Sequence, residues 1–159
     1  MLPKVKKILY ATDLGGEGAR NALRMAAGLA QASDAQMVVL HVIDTISSST
    51  EGMLRNMLSD KQVADLKQRD LDAREAELKQ RLEDFHAEEC PGQPFPGGDP
   101  VRVVAAGRSD EVILEQAEKH AVDMIVMGTR THSGIGQLLG STANRVIHHS
   151  KVPVVIYPL

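Results

Sequence analysis

The sequence predicts an α/β fold: a single-domain open parallel sheet of five strands with helices on both faces. Three observations carry this reading. Five short apolar runs alternate with four segments of helical periodicity, and such alternation implies right-handed crossovers and a parallel sheet. The run Met37-Val-Val-Leu-His-Val-Ile43 is continuously apolar and rich in β-branched residues, as strands covered on both faces are. Aromatic residues make up only 3% of the chain and tryptophan is absent. The core must therefore be built from Val, Ile, Leu, Met and Ala, which suits close packing of helix on sheet.

The elements follow in order. Val5 to Ala11 forms the first strand, ending at Thr12-Asp13 and a glycine-rich turn, Leu14 to Gly18. Ala19, Ala22, Leu23, Ala26, Ala27, Leu29 and Ala30 recur at helical spacing and place a helix over Glu17–Ala32. The second strand is Met37–Ile43. The polar stretch Thr45 to Thr50 reads as a mobile connection. Asp60 to Glu89 is charged, with apolar Val63, Leu66, Leu71, Leu78, Leu82 and Phe85. It reads as a long amphipathic helix anchored along one stripe and solvated elsewhere. Its heptads are not sustained, which argues against a coiled coil. The Pro- and Gly-rich segment Cys90–Pro100 stops that helix. Val101–Ala106 is the third strand, and Gly107-Arg-Ser-Asp110 starts a helix to about His120 with Ser109 or Asp110 as its cap. Val122–Met127 is the fourth strand, Ser141–His149 the last helix, and Val152–Tyr157 the final strand.

The composition excludes several classes. The 159 residues fit one domain, residues 1–159. A formal net charge of −3 with mixed signs offers no basic face for nucleic acid, and the few aromatics leave no platform for stacking bases. The apolar run at the N-terminus is too short for a signal sequence, and none reaches membrane-spanning length. Cys90 is the only cysteine, so neither an intrachain disulfide nor a cysteine metal cluster is available. A cytoplasmic location without membrane insertion is expected.

Ligands of open parallel sheets bind outside the carboxyl ends of the strands, where strand order reverses. That rule nominates Thr12-Asp13, Val42-Ile43-Asp44 and Met127-Gly128. Beyond Gly128, the polar loop Thr129 to Leu139 leads to Gly140-Ser-Thr142 at the start of a helix. Unpaired N–H groups and a partial positive charge there suit a phosphate. Gly140 permits close approach, and Ser141 and Thr142 add hydroxyl donors. Capping of the helix by Ser141 or Thr142 is an equal alternative. Arg130 reads either as a partner for phosphate charge through bidentate hydrogen bonds or as a solvated loop residue. Asp13 reads as a ligand contact or a turn cap, and Val42 as a contact or plain core.

Other motifs carry less. Gly134-Ile-Gly-Gln-Leu-Leu-Gly140 looks like a dinucleotide fingerprint, but it does not follow the first strand and no acid ends the next one. No Gly-Lys-Ser/Thr phosphate loop is present, so a Walker-type mechanism is unsupported. His132, His148 and His149 lack partners at metal-ligand spacing, and the last two complement a helix dipole. Ser109 and Ser141 lack a nucleophile elbow. No catalytic residue and no metal ligand is assigned.

Lys7-Ile-Leu-Tyr-Ala-Thr-Asp13, Leu40-His-Val-Ile-Asp44, Val122-Asp-Met-Ile-Val-Met-Gly128, Leu139-Gly-Ser-Thr142 and Val152-Pro-Val-Val-Ile156 together resemble the universal stress protein family over nearly the whole chain. The resemblance implies a Rossmann-like fold, of the kind called adenine nucleotide alpha hydrolase-like, with strand order 3-2-1-4-5. Family members that bind ATP share a pattern of glycine, two residues, glycine, nine residues, then glycine with serine or threonine. Gly128 and Gly140-Ser141 match its ends. Thr131 replaces the middle glycine, and eight residues separate it from Gly140, with Gly134 and Gly136 nearby. This shortened loop resembles that of small bacterial members still associated with nucleotides.

Carried over by position, the resemblance implies that Asp13 contacts adenine, that Val42 packs against the base and that Met127 and Gly128 flank the adenosine, while Thr12 joins the cofactor-binding residues by its place at the strand end. Gly140, Ser141 and Thr142 would hold phosphate, with Arg130 beside it. The implied ligand is ATP or AMP, with Mg2+ accompanying a triphosphate. The final strand Val152–Tyr157, apolar and at the sheet edge, is expected to pair with a second copy across a two-fold axis. The expected function is a homodimeric, adenine-nucleotide-binding regulator of stress responses. The alternatives are a dimeric interaction module that has lost nucleotide binding, and a weak ATPase or self-phosphorylating protein.

Overall fold

The computed structural model describes residues 1–45, 47–129 and 139–159. Ten elements follow in the order β1 (Lys7–Thr12), α1 (Glu17–Ser33), β2 (Gln36–Asp44), α2 (Ser48–Met57), α3 (Asp60–Glu89), β3 (Val101–Gly107), α4 (Ser109–Lys119), β4 (Met124–Thr129), α5 (Ser141–His149) and β5 (Val154–Pro158). The strands form one parallel sheet in the order β3-β2-β1-β4-β5. The fold class is therefore the one the sequence predicts, and order reverses between β1 and β4.

Two cores sandwich the sheet. On one face Tyr10, Met37, Val39 and Val126 meet the alanine-rich side of α1 and Leu78, Leu82 and Phe85 of α3. On the other, Leu9, Leu40, Ile125 and Met127 meet Val112 and Ile113 of α4 and Ala143 and Val146 of α5. The alanines of α1 let the helix lie close to the sheet, and Ala22, Ala26 and Ala30 are almost wholly buried.

The structure corrects several boundaries. The stretch Thr45–Thr50 holds the start of a helix, α2, because the Ser47 hydroxyl accepts from the Thr50 N–H at 3.4 Å. Glu51 pairs with Arg55 and reaches Lys67 on α3. No residue of α2 is buried, and its Met53 and Met57 stand exposed. In α3, a reciprocal capping box joins Ser59 and Gln62. Leu66, counted in the apolar stripe, stands 47% exposed, whereas Leu78, Leu82 and Phe85 are buried. The anchoring is thus concentrated in the second half of the helix. β4 and β5 begin two residues later than expected. Pro153 lies just ahead of β5, where its carbonyl still accepts from the Ile125 N–H at 2.9 Å.

Candidate functional site

The carboxyl ends of β1, β2 and β4 and the first turns of α4 and α5 enclose a cleft of about 640 Å³. Of the predicted site residues, Thr12, Asp13, Val42, Met127 and Gly128 line it at the sheet edge. Gly140, Ser141 and Thr142 line it from α5. Arg130 lies outside the described residues, as do Thr131, His132, Gly134 and Gly136, so most of the Thr129–Leu139 loop does too.

The turn after β1 is built by its own side chains. Thr12 Oγ1 accepts from the Leu14 N–H at 3.1 Å, and Asp13 Oδ1 accepts from the Gly15 N–H at 2.7 Å. Asp13 is therefore a turn cap as well as a wall of the cleft. The left-handed residue of this turn is Leu14, at φ 57°, rather than one of its glycines. Its buried side chain joins the core beneath α1, and that packing offsets the backbone cost.

Behind this turn stands Tyr10. Its hydroxyl donates to the Ala19 carbonyl at 2.7 Å, and burial pushes its phenol up to about 12. His41 also lines the cleft. Its Nδ1 lies 2.9 Å from the Thr12 carbonyl. A carbonyl can only accept, so this nitrogen carries a proton and donates it to Thr12.

At the other end, Thr129 is buried and its Oγ1 accepts from the Gly140 N–H at 2.8 Å. This bond ties the end of β4 to the start of α5. Gly140 is the N-cap of α5, and among the described residues no side chain caps the helix. Neither Ser141 nor Thr142 is the cap that the sequence allowed, because both already lie within the helix. A glycine at the cap brings no side-chain acceptor of its own to the first-turn N–H groups, a setting that favours an anion.

The start of α4 departs from expectation in a related way. Arg108, not Ser109 or Asp110, is the N-cap. The Ser109 hydroxyl turns to Asp44 and donates to its Oδ1 at 2.6 Å. The buried Asp110 carboxylate is gripped by Arg108 through bonds of 2.8 and 2.9 Å, with Arg145 of α5 at 3.9 Å. The Arg108 guanidinium beside it holds the Asp110 carboxyl below its usual range.

Sequence reasoning nominated Asp44 by strand position but did not carry it into the site. It missed Tyr10, His41 and Thr129 altogether. Thr129 ends β4, and its tie to Gly140, eleven residues further on, has no local signal. Among the described residues no group of three or more His, Cys, Asp or Glu is placed to hold a metal ion. No described helix is long and apolar enough to cross a membrane.

Sheet order, the cleft at the reversal point and the open helix N-terminus define a doubly wound α/β domain with a ligand cleft at its carboxyl edge. The family model described as "Universal stress protein family" matches residues 4–158. The chain belongs to that family. Universal stress protein A homolog 2 of Coxiella burnetii is 29% identical over 150 residues, covering 94% of this chain and 92% of that protein. Among solved structures, universal stress protein UspA from Lactobacillus plantarum superimposes with a TM-score of 0.66 at 24% identity, over 98% of this chain and 99% of that one. A universal stress protein in complex with cAMP (TM-score 0.61, 18% identity, 97% of each chain) has the same fold. So has one from Archaeoglobus fulgidus in complex with dAMP (TM-score 0.53, 18% identity, 95% and 96%).

Proposed function

We propose that this single-domain protein is a homodimeric stress-response regulator that binds an adenine nucleotide, ATP or AMP, in the cleft at the carboxyl edge of its sheet. The observation that carries the reading is the uncapped first turn of α5, which opens on the same cleft as Asp13 and Val42. In this reading the base lies toward β1 and β2, against Thr12, Asp13 and Val42. Met127 and Gly128 flank the sugar, and phosphate rests on the N–H groups and hydroxyls of Ser141 and Thr142, with Arg130 beside it. The related folds solved with cAMP and with dAMP support an adenine monophosphate as the minimum ligand. The protein acts in the cytoplasm, and nucleotide occupancy is the signal it transmits.

Titration calorimetry of ATP and AMP into nucleotide-stripped protein tests this. Saturable binding is expected, lost or weakened at least tenfold in Asp13→Ala and Gly140→Leu, about what removing a charge-assisted contact costs. Absence of binding by the unmodified protein would overturn it.

One observation favours a second reading, a dimeric interaction module without nucleotide. The Leu159 side chain lines the cleft, and a Cβ at Gly128 would stand 2.6 Å from its Cδ1. An isobutyl group thus fills the space that the first motif glycine leaves open. Protein purified without adenine absorbance, and silent in calorimetry, is the outcome this reading expects.

A further inference from the structure

The cleft is chemically polar from end to end. Its β4–α5 end presents donors, the first-turn N–H groups of α5 and the hydroxyls of Ser141 and Thr142. Its β2–α4 end presents Asp44 and Ser109. Asp44 is the last residue of β2 and stands in register with Gly107 of β3. Gly107 has φ 154°, and a Cβ there would lie 2.7 Å from Val112 Cγ2. The absence of that Cβ lets α4 start directly beside Asp44, where the Ser109 hydroxyl donates to Oδ1 at 2.6 Å.

Two consequences follow from the chemistry of this pair. The Ser109 proton is committed to Asp44, so the serine oxygen and the carboxylate both face a ligand as acceptors. The α4 N-terminus, which would otherwise attract an anion as α5 does, already has a carboxylate beside it. A phosphate is therefore turned away from α4 and toward α5. The opposite end of the ligand meets acceptors and must offer a donor.

We propose that Asp44, held in place by Ser109, is a specificity-determining residue that accepts from the exocyclic amino group of the bound base and so selects 6-amino over 6-oxo purines. This rests on the proposed nucleotide site. The pair also fixes the direction in which the nucleotide lies. A 6-oxo purine would set its carbonyl oxygen against the carboxylate, and sites built to hydrogen-bond a group reject the analogue that cannot reciprocate.

The test is the ratio of AMP to IMP affinity, measured by calorimetry on the unmodified protein, on Asp44→Asn and on Ser109→Ala. The unmodified protein is expected to prefer AMP by about tenfold or more. Asp44→Asn supplies a donor as well as an acceptor and should bring the ratio close to one. Ser109→Ala, which only frees the carboxylate, should reduce the preference partway. A structural role for Asp44 would weaken both ligands together and leave the ratio unchanged, which would overturn the proposal while sparing the nucleotide site. An unmodified protein that binds AMP and IMP equally would do the same. Failure of both ligands to bind the unmodified protein would overturn the site and this inference with it.

Discussion

Tyr10 shows how a single side chain links the core to the cleft. Its ring is buried between β1 and α1, and its hydroxyl holds the first turns of α1 through Ala19. Burial favours the neutral phenol, so the unfolded chain, with a value near 10.0, loses this proton before the folded chain does. The stability contributed by that difference is complete below pH 10 and disappears as the pH rises to about 12. Its size is roughly 2–3 kcal/mol. Denaturant melts at pH 9 and above should therefore show stability falling in this window. Tyr10→Phe should flatten the fall and cost about 1 kcal/mol at neutral pH through loss of the bond to Ala19. An unchanged slope in the variant would count against this account. Asp13 was legible as a site residue because an acid at a strand's carboxyl end is conspicuous. The sequence left turn cap and ligand contact open for it, since both share one signature, and the bond from the Gly15 N–H shows the cap. Thr129 went unread for another reason: its bond to Gly140 spans eleven residues, and nothing local signals it.

Among the elements, α3 separates what periodicity reveals from what it hides. Its limits, Asp60–Glu89, were readable from the charged amphipathic pattern and the break at Cys90-Pro91. Which of its leucines reach the sheet was not. Leu78 is 2% exposed and Leu66 47%, and twelve residues of helix turn Leu66 about 120° away from Leu78. Leu78→Ala should destabilise the protein by about 2–5 kcal/mol, whereas Leu66→Ala should stay within about 0.5 kcal/mol. Chemical denaturation of the two variants checks this, and equal losses would contradict the assigned packing. The preceding helix, α2, went unread because its apolar Met53, Leu54 and Met57 fill little more than one turn, too short a run for periodicity to show. Its support comes from the Ser47 cap and from Glu51, which pairs within α2 and with Lys67 of α3.

On the scale of the whole molecule, β5 is an edge strand with Val154, Val155, Ile156 and Tyr157 only half buried. The inner ladder runs through the Pro153 carbonyl and the Leu159 N–H, bonded to Ile125 and Thr129 respectively. Alternation along the strand then directs the N–H groups of Val154 and Ile156 outward, where a second copy could pair. Sedimentation is expected to show a dimer for the unmodified protein and a monomer for Ile156→Pro, which removes one outward donor and spares the inner ladder. A monomeric unmodified protein would refute the pairing.

The sequence by itself determined the class of the molecule. Periods of two and 3.6 residues, glycine and proline breaks and continuous apolar strands are local properties, and together they specify a parallel sheet covered on both faces. It also located eight described cleft residues, because ligand position in such sheets follows from strand ends. Only the tertiary structure decided which helix start is left open. Asp44 lies 65 residues from Ser109 and meets it because β2 and β3 pair with Gly107 at the turn. That contact puts a carboxylate beside α4 while glycine leaves α5 uncapped. The preference proposed for an anion, α5 over α4, rests on this long-range contact, and no local pattern in the chain encodes it.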